Sequence, residues 1–241
     1  MEVQIAVAKV GKYATSESGD TVEVIERPRG GLSLVLADGQ RSGRGAKAIS
    51  NMVVRKAISL LGEGVRDGAV ARAAHDYLRT QRGGKVSATL NIVSVDLVSG
   101  TLVLSRNSHC PVVIITPANF TLLDQPSEAI GIYAWTKPVI TELPLEPETY
   151  VIVFTDGLLN AGTRHGQRLD VPQLARDLLA SGLRNAPALA DAILQRGVEL
   201  DRGRPNDDIS VVVVAIVPKR EHHGVRRMTI SFPLPAVRGI W

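Results

Sequence analysis

Two pairs of helical segments interrupt a chain whose other apolar segments all have the pattern of β-strands. Alternating or short apolar runs bounded by turn residues predict strands at residues 3–7, 22–25, 32–38, 89–96, 101–106, 111–116, 120–123, 150–156 and 209–217. Helical spacing predicts helices over residues 46–61 and 67–80, and two more that follow the N-caps Asp170 and Asn185. Residues 88–123 are expected to form one antiparallel meander, and residues 124–149 a loose, proline-containing connection. Helices inserted between antiparallel strands favour an α+β chain, with two sheets packed face to face and helices outside.

The composition is that of a globular chain. Its 241 residues are 44% hydrophobic and 22% charged, which argues against a disordered or fibrous protein. No apolar stretch reaches the roughly 20 residues that span a bilayer, and no signal peptide is recognisable, so we expect a cytoplasmic protein without a membrane span. The single cysteine, Cys110, cannot form an internal disulfide. We divide the chain into one domain, residues 1–218, and a basic tail, residues 219–241.

The net charge does not by itself indicate a nucleic-acid partner. The charge is +4, but aromatic residues make up only 4% of the chain and no nucleic-acid motif is present. Much of the positive excess lies in the tail, where it indicates a solvated surface segment. We therefore expect no nucleic acid among the partners.

Aspartates stand where apolar strands end. Asp38 and Asp156 each close an apolar run and precede a glycine, Asp20 follows a Ser-Gly turn, and Asp207 and Asp208 precede the last strand. A single Asp-Gly step is typical of nothing more than a tight turn. If the strand ends meet at one edge, however, four or five carboxylates converge, and they need cations or protons to offset their repulsion.

Carboxylates without cysteine or paired histidine favour hard cations, so the sequence predicts Mg²⁺ or Mn²⁺ rather than zinc or copper. A pair of such ions could hold a deprotonated bridging water, the nucleophile for in-line hydrolysis of a phosphoryl group. The carbonyl of Gly39 could approach an ion closely because no side chain obstructs it.

Four segments, in this order, resemble the motifs of a known family. They are residues 18–20 (SGD), 38–46 (DGQRSGRGA), 154–161 (FTDGLLNA) and 206–210 (NDDIS). Together they are similar to the metal-dependent protein phosphatases of type 2C (PPM), and in particular to the bacterial SpoIIE-like branch. The match extends from residue 18 to residue 210.

The resemblance implies a central β-sandwich of two antiparallel sheets flanked by helical layers (αββα). It also implies a site for two Mn²⁺ or Mg²⁺ ions and hydrolysis of phosphoserine or phosphothreonine in a protein. Asp38 would bridge both ions, with Asp156 as the second catalytic carboxylate. The metal-site residues that the resemblance implies are Asp20, Asp38, Gly39, Asp156, Asp207 and Asp208. Asp207 matches the ligand of the last motif, and Asp208 is expected to support it.

The resemblance also suggests the partner, a phosphorylated STAS-type anti-sigma-factor antagonist or a similar partner-switching protein of a bacterial signalling pathway. Arg41, Arg44 or Arg106 could contact the substrate phosphate, since a guanidinium suits phosphate oxygens. Gln40 stands where many eukaryotic members have a histidine that acts as a general acid. His109 lies in a turn similar to the Gly-His-Pro turn of the family, where we expect a structural role.

Other hydrolase classes lack their motifs. A haloacid-dehalogenase-like phosphatase needs Asp-x-Asp at a strand end, which neither Asp38 nor Asp156 provides, and no serine-hydrolase or P-loop motif occurs. The remaining alternative is a catalytically weak regulatory module that binds phosphoproteins.

Overall fold

The computed structural model describes residues 1–28, 30–218, 224–231 and 233. The strands of these residues are β1 (Glu2–Val10), β2 (Asp20–Glu26), β3 (Leu32–Gly39), β4 (Ala88–Asp96), β5 (Thr101–Asn107), β6 (Val112–Ile115), β7 (Phe120–Leu123), β8 (Val139–Pro144), β9 (Thr149–Phe154) and β10 (Ile209–Val217). The helices are α1 (Gly43–Gly62), α2 (Asp67–Arg82), α3 (Asp156–Leu159), α4 (Val171–Ala180) and α5 (Ala186–Leu200). None of the described helices is long and apolar enough to cross a membrane.

The strands form two antiparallel sheets. One has the order β1-β10-β9-β6-β7 and the other the order β2-β3-β4-β5-β8. Alternation along each strand sends its side chains to opposite faces, so Leu34 and Leu36 enter the core between the sheets while Val35 and Ala37 pack against α1 and α2. Helices α4 and α5 cover the outer face of the other sheet. The predicted α+β class and the sandwich of two sheets between helical layers are confirmed.

The predicted meander over residues 88–123 is wrong. After β5 the chain crosses to the other sheet, so that β5 pairs with β8 and β6 pairs with β7 and β9. Strand β8 lies in the segment that we expected to be loose. Pro138 and Pro144 weaken its pattern, but β8 is an edge strand, where proline costs no ladder hydrogen bond.

The ends of several elements differ from the prediction by a few residues. Strand β9 ends at Phe154, and Asp156 begins the short helix α3 instead of closing the strand. Helix α1 begins at Gly43, three residues before the expected start. The N-caps of α4 and α5 are as predicted: the Asp170 side chain accepts a hydrogen bond from the Gln173 amide, and the Asn185 side chain accepts one from the Ala188 amide.

Most of the predicted basic tail, residues 219–241, lies outside the described residues. Residues 224–231 contain no helix or strand, and the Arg226 guanidinium lies 2.5 Å from a carboxylate oxygen of Glu26. The boundary between domain and tail stays a prediction.

Helix α1 packs so closely on the end of β3 that only glycine fits there. A Cβ atom on Gly39 would lie 2.1 Å from the carbonyl oxygen of Ala46, which is a backbone atom. Such a contact cannot be relieved by rotating a side chain, so β3 and α1 would have to separate.

We expect Gly39→Ala to lower the free energy of unfolding by about 2 kcal/mol, because overpacking of this kind displaces the backbone. Gly45→Ala is the matched control, since a Cβ on Gly45 meets no atom within 4 Å. It should leave stability unchanged or raise it by up to about 1 kcal/mol, the helix-propensity gain of alanine over glycine. Urea unfolding of both variants measures the difference, and equal stabilities would contradict the close packing of α1 on β3.

Candidate metal centre

The four motif segments meet at one end of the sandwich. Asp20 and Asp38 face each other across β2 and β3. In the other sheet, the end of β9 and the start of β10 lie side by side, with Phe154 paired to Val211. The Thr155 hydroxyl donates to Asp20 Oδ2 at 3.0 Å and so joins the two sheets at this edge.

Asp20 is fully buried and only half satisfied. Its Oδ2 accepts hydrogen bonds from the hydroxyls of Thr155 and Ser210, at 3.0 and 2.6 Å. Its Oδ1 is buried and has no hydrogen-bond partner. Burial raises the pKa of Asp20 to about 6, because the charged form loses its hydration. An orphaned carboxylate oxygen of this kind suits a cation or a water bound to one.

Asp38, Asp156 and Asp207 repel one another electrostatically. Burial and the neighbouring charges of Asp20, Asp156 and Asp207 raise the pKa of Asp38 to about 9. Burial and the charge of Asp207 also raise the pKa of Asp156, and His109 opposes this rise. Such mutual effects require that the carboxylates lie close together. The structure therefore brings four of the predicted carboxylates to one place.

The two aspartates of the last motif have different surroundings. Asp208 is buried, and its carboxylate oxygens accept hydrogen bonds from the amides of Lys12 and Gly19, at 2.8 and 2.7 Å. It thereby holds the loop before β2 in place. The Asp207 side chain is 44% exposed and lies 3.9 Å from the Lys12 ammonium. This geometry suits the predicted division of roles, in which Asp207 binds the ion and Asp208 supports the site.

Two lysines lie beneath the carboxylates. The ammonium groups of Lys9 and Lys47 both donate to the Asp20 carbonyl oxygen, at 2.9 and 2.7 Å. Burial lowers the pKa of Lys9, and the charge of Asp20 opposes that change. The lysines supply positive charge to an acidic site before any ion binds.

Glycines allow the segments to approach each other. A Cβ on Gly157 would lie 2.1 Å from the Asp208 carbonyl oxygen, and one on Gly19 would lie 2.8 Å from the Ala46 Cβ. The Gly39 carbonyl oxygen faces the same region, 3.8 Å from the position of a Cβ on Gly19. The segments 18–20 and 38–46 therefore lie close against each other, and so do the backbones of the segments 154–161 and 206–210.

The donor set is typical of a site where magnesium or manganese keeps some of its waters, and not of a site that encloses an ion with protein ligands alone. Across the described ranges, no group of three or more histidine, cysteine, aspartate or glutamate side chains is arranged so that it could hold a metal ion by itself. Magnesium typically keeps several waters and binds through one or two carboxylates. The oxygen donors of Asp38, Asp156, Asp207 and Gly39, with the orphaned oxygen of Asp20, suit such an ion.

The other predicted site residues lie at the rim or elsewhere. Arg41 and Arg44 are exposed, and Arg41 has a left-handed backbone conformation with φ of 75°. Arg106 is buried and donates to the carbonyls of Ser108 and Gln125. Its guanidinium holds a loop, so the suggestion that Arg106 contacts the substrate phosphate is wrong.

His109 lies nearer to the carboxylates than a purely structural role requires. Its side chain is 58% exposed, and its Nε2 is 3.8 Å from Asp156 Oδ2. The turn itself is held by Ser108, whose hydroxyl accepts from the Cys110 amide at 3.1 Å. Burial beside the charge of Asp156 raises the pKa of the Cys110 thiol to about 12, so this cysteine stays protonated.

Sequence reasoning assigned no role to the groups that orient Asp20. Thr155 and Ser210 lie inside the quoted motifs, next to Asp156 and after Asp208. This position was the signal in the sequence that could have indicated their role. Lys9 and Lys47 gave none, because a lysine in an alternating strand or in a helix is usually a solvated surface residue.

Comparison with known proteins identifies the family. The family model described as Stage II sporulation protein E (SpoIIE) matches residues 28–217. The chain belongs to the SpoIIE family. The predicted resemblance to the SpoIIE-like branch is thereby confirmed.

Two SpoIIE relatives match nearly the whole chain. The stage II sporulation protein E of Priestia megaterium is 20% identical over 214 residues, and that of Bacillus subtilis (strain 168) is 20% identical over 235 residues. The matches cover 89% and 98% of this chain but 36% and 27% of those proteins. The chain therefore spans about a third or less of the length of these relatives.

Solved PP2C phosphatases share the fold. The PP2C phosphatase domain and regulatory-domain fragment of SpoIIE from Bacillus subtilis give a TM-score of 0.76 at 20% identity, covering 90% of this chain and 64% of that one. The catalytic domain of the serine threonine protein phosphatase PstP, in complex with 2 manganese ions, gives a TM-score of 0.63 at 16% identity. That match covers 90% of this chain and 99% of PstP. The predicted PPM fold is confirmed.

The different surroundings of Asp207 and Asp208 generate a paired prediction. Asp208→Ala should lower the free energy of unfolding by about 2 kcal/mol, because two backbone amides lose their charged acceptor. Asp207→Ala should leave the stability of the metal-free protein nearly unchanged and weaken Mn²⁺ binding. Urea unfolding and calorimetric titration with Mn²⁺ measure the two effects. Similar losses of stability in both variants would contradict the assigned roles.

The raised pKa values predict proton release when metal binds. With native pKa values of about 9 for Asp38 and about 6 for Asp20, above the ordinary value of 3.8, the folded protein binds more protons than the unfolded chain. The stability of the metal-free protein should therefore fall as pH rises from about 4 to about 9. At pH 7, Mn²⁺ should displace about one proton from the cluster.

Calorimetric titration of Mn²⁺ in buffers of different ionisation enthalpy measures this release. Asp38→Asn removes the most strongly perturbed carboxyl, so most of the fall in metal-free stability with rising pH should disappear in that variant. A binding heat that is the same in every buffer would contradict the protonated cluster.

Proposed function

We propose that the chain is a metal-dependent protein phosphatase that hydrolyses phosphoserine or phosphothreonine. The observation that carries the proposal is the cluster of carboxylates at one edge of a PP2C fold, with a buried, unpartnered oxygen on Asp20. A structural role does not explain such a cluster, because its repulsion costs stability until a cation offsets it. Membership of the SpoIIE family and similarity to a phosphatase that holds manganese support the same function.

Two Mn²⁺ or Mg²⁺ ions are the proposed cofactors. Asp38, Asp156, Asp207 and the Gly39 carbonyl would hold them, with Asp20 beside these ligands. Bound ions of this kind polarise phosphoryl oxygens and make hydroxide available at neutral pH.

The chain's own residues prepare the site. Thr155 and Ser210 fix the Asp20 carboxylate by their hydroxyl hydrogen bonds, and Asp208 holds the loop that carries Gly19. Preorganised groups cost no rearrangement during the reaction. Arg41 stands on the loop after Gly39 and Arg44 in the first turn of α1, where a guanidinium can receive a phosphate.

We infer further that the substrate is a phosphorylated STAS-type anti-sigma-factor antagonist or a related bacterial signalling protein, and that the enzyme works in the cytoplasm. Family membership supports this substrate class. The alternative, a binding module with little activity, would not need a site that is electrostatically strained without metal.

Asp38→Asn tests the function directly. Phosphate release from p-nitrophenyl phosphate and from a serine-phosphorylated STAS protein, with Mn²⁺ present, should fall by roughly a thousandfold or more, because several kcal/mol of metal-dependent stabilisation are lost. Chelation with EDTA should have the same effect on the unaltered protein. Asp191→Asn, an exposed aspartate on α5, is the control and should keep full activity.

Turnover that persists in EDTA or in Asp38→Asn would overturn the metal-dependent mechanism. Binding of the phosphorylated STAS protein without any turnover, equal with and without Mn²⁺, would favour the regulatory module instead.

A further inference from the structure

An exposed aromatic segment lies beside the carboxylates. Residues 131–137 connect an isolated β-bridge to strand β8 and carry three large apolar side chains in solvent: Ile132, Tyr133 and Trp135 are 38%, 57% and 92% exposed. Exposed tryptophan is costly, since burying an aromatic side chain contributes about 2 kcal/mol or more. Three such residues within four positions form a surface suited to a partner.

This segment is attached to the structure at several points. Ile130 exchanges both backbone hydrogen bonds with Ala88, and Ala88 pairs with Gly39 in the sheet. The Gly131 amide donates to Nδ1 of the buried His75 at 3.1 Å, and Arg79 Nε donates to the Ile132 carbonyl at 3.4 Å. The backbone at the start of the segment is therefore held in place, one strand away from the Gly39 end of β3.

Basic residues surround the same place. Three segments meet there, residues 40–48, 77–87 and 131–137, and they contain no aspartate or glutamate. The first two are joined by Gln40 and Ser87, whose backbone and side-chain groups exchange hydrogen bonds of 3.0 and 3.2 Å. The exposed cations of these segments are Arg41, Arg44, Arg79, Arg82, Lys85 and Lys137. Arg41 and Arg44 are the residues proposed above to receive the phosphate, so we name the other four cations, with Ile132, Tyr133 and Trp135, the basic–aromatic rim.

We propose that the basic–aromatic rim docks the protein that carries the phosphorylated side chain, and that this protein is acidic around its phosphoserine and packs an apolar side chain against Trp135. The proposal rests on the proposed phosphatase function. The rim and the carboxylate cluster share one edge of the sandwich, so a protein bound there presents its surface to the site. Clustered cations attract an acidic partner within about 10 Å at moderate salt, and a buried tryptophan is a typical anchor of an interface.

A second copy of this chain fits the rim poorly. A symmetric dimer would bring the same patch of both copies together, and two sets of clustered cations would then repel each other. An acidic protein meets no such repulsion.

Variants of Trp135 and Arg82 separate docking from chemistry. The substrates are p-nitrophenyl phosphate, which is too small to reach the rim, and a phosphoserine peptide flanked by glutamate and leucine. With Mn²⁺ present, Trp135→Ala and Arg82→Glu should each lower kcat/KM for the peptide by roughly tenfold, the loss expected for an interface anchor or a reversed steering charge. Activity towards p-nitrophenyl phosphate should stay within about twofold of the unaltered protein, since no rim contact reaches that substrate.

Two control variants make changes of the same kind, one apolar truncation and one charge reversal, away from the rim. Val98→Ala removes an apolar side chain that is 71% exposed at the β4–β5 turn, the far end of β4 from Ala88. Arg55→Glu reverses an exposed charge further along α1. Neither should change kcat/KM for the peptide. Equal losses in rim and control variants, or equal losses for both substrates, would overturn the docking proposal. An unaltered protein inactive on p-nitrophenyl phosphate would instead overturn the phosphatase function.

Tryptophan fluorescence reports docking without turnover. In Asp38→Asn protein that also carries Trp241→Phe, Trp135 is the remaining tryptophan, and its emission should shift to the blue when the acidic phosphopeptide binds. Added salt should weaken the shift, because it screens the cations of the rim.

Three results, one from the fluorescence experiment and two from separate measurements, would overturn the docking proposal. The first is an unchanged emission maximum at saturating peptide. The second is a dimer in gel filtration that dissociates into monomers when Trp135 is replaced by alanine. The third is tighter binding of a single-stranded oligonucleotide than of the acidic phosphopeptide.

Discussion

The hydrogen bonds to Asp20 connect the two sheets at the edge that carries the carboxylates. Asp20 belongs to one sheet, and the hydroxyls of Thr155 and Ser210 belong to the segments that end and begin strands of the other. Because a buried carboxylate must be hydrogen-bonded or neutralised, this contact fixes how the strand ends face each other. The relative position of Asp38 and Asp156 follows from it, since each lies next to one member of the contact.

The glycines of the motifs have a steric role that complements this electrostatic one. Gly39 and Gly157 bring backbone against backbone, where a single Cβ would meet a carbonyl oxygen at 2.1 Å. Side chains that bind ions need a framework that holds them within a fraction of an ångström. Direct backbone packing provides such a framework without long connecting side chains.

Much of this arrangement could be predicted from the sequence, because its signals are local. Residues that are neighbours in the sequence determine the end of β3 at Asp38-Gly39, the N-caps Asp170 and Asn185, and the apolar runs of β9 and β10. The family was equally accessible, since four short segments in a fixed order carried the resemblance.

The features that could not be predicted depend on contacts between segments that are far apart in the sequence. The choice of sheet for β5 and β6 follows from packing, not from their own pattern, and the prolines around β8 concealed an edge strand. Burial decided the case of Arg106: its sequence neighbourhood could not show that its guanidinium holds the segment at Gln125 and faces away from solvent. Likewise, the different surroundings of Asp207 and Asp208 arise from the amides of Lys12 and Gly19, which lie almost two hundred positions earlier.

The two lysines that share the Asp20 carbonyl have a consequence for how the protein exchanges ions. The ammonium groups of Lys9 and Lys47 lie beneath the carboxylates, although burial lowers the pKa of Lys9, and a proton on Asp38 removes one negative charge when no ion is bound. We therefore expect the scaffold to fold without its ion, in contrast to a zinc finger, whose fold is lost with its ion. Under the proposed function, the supply of divalent cations would then control activity without unfolding the protein.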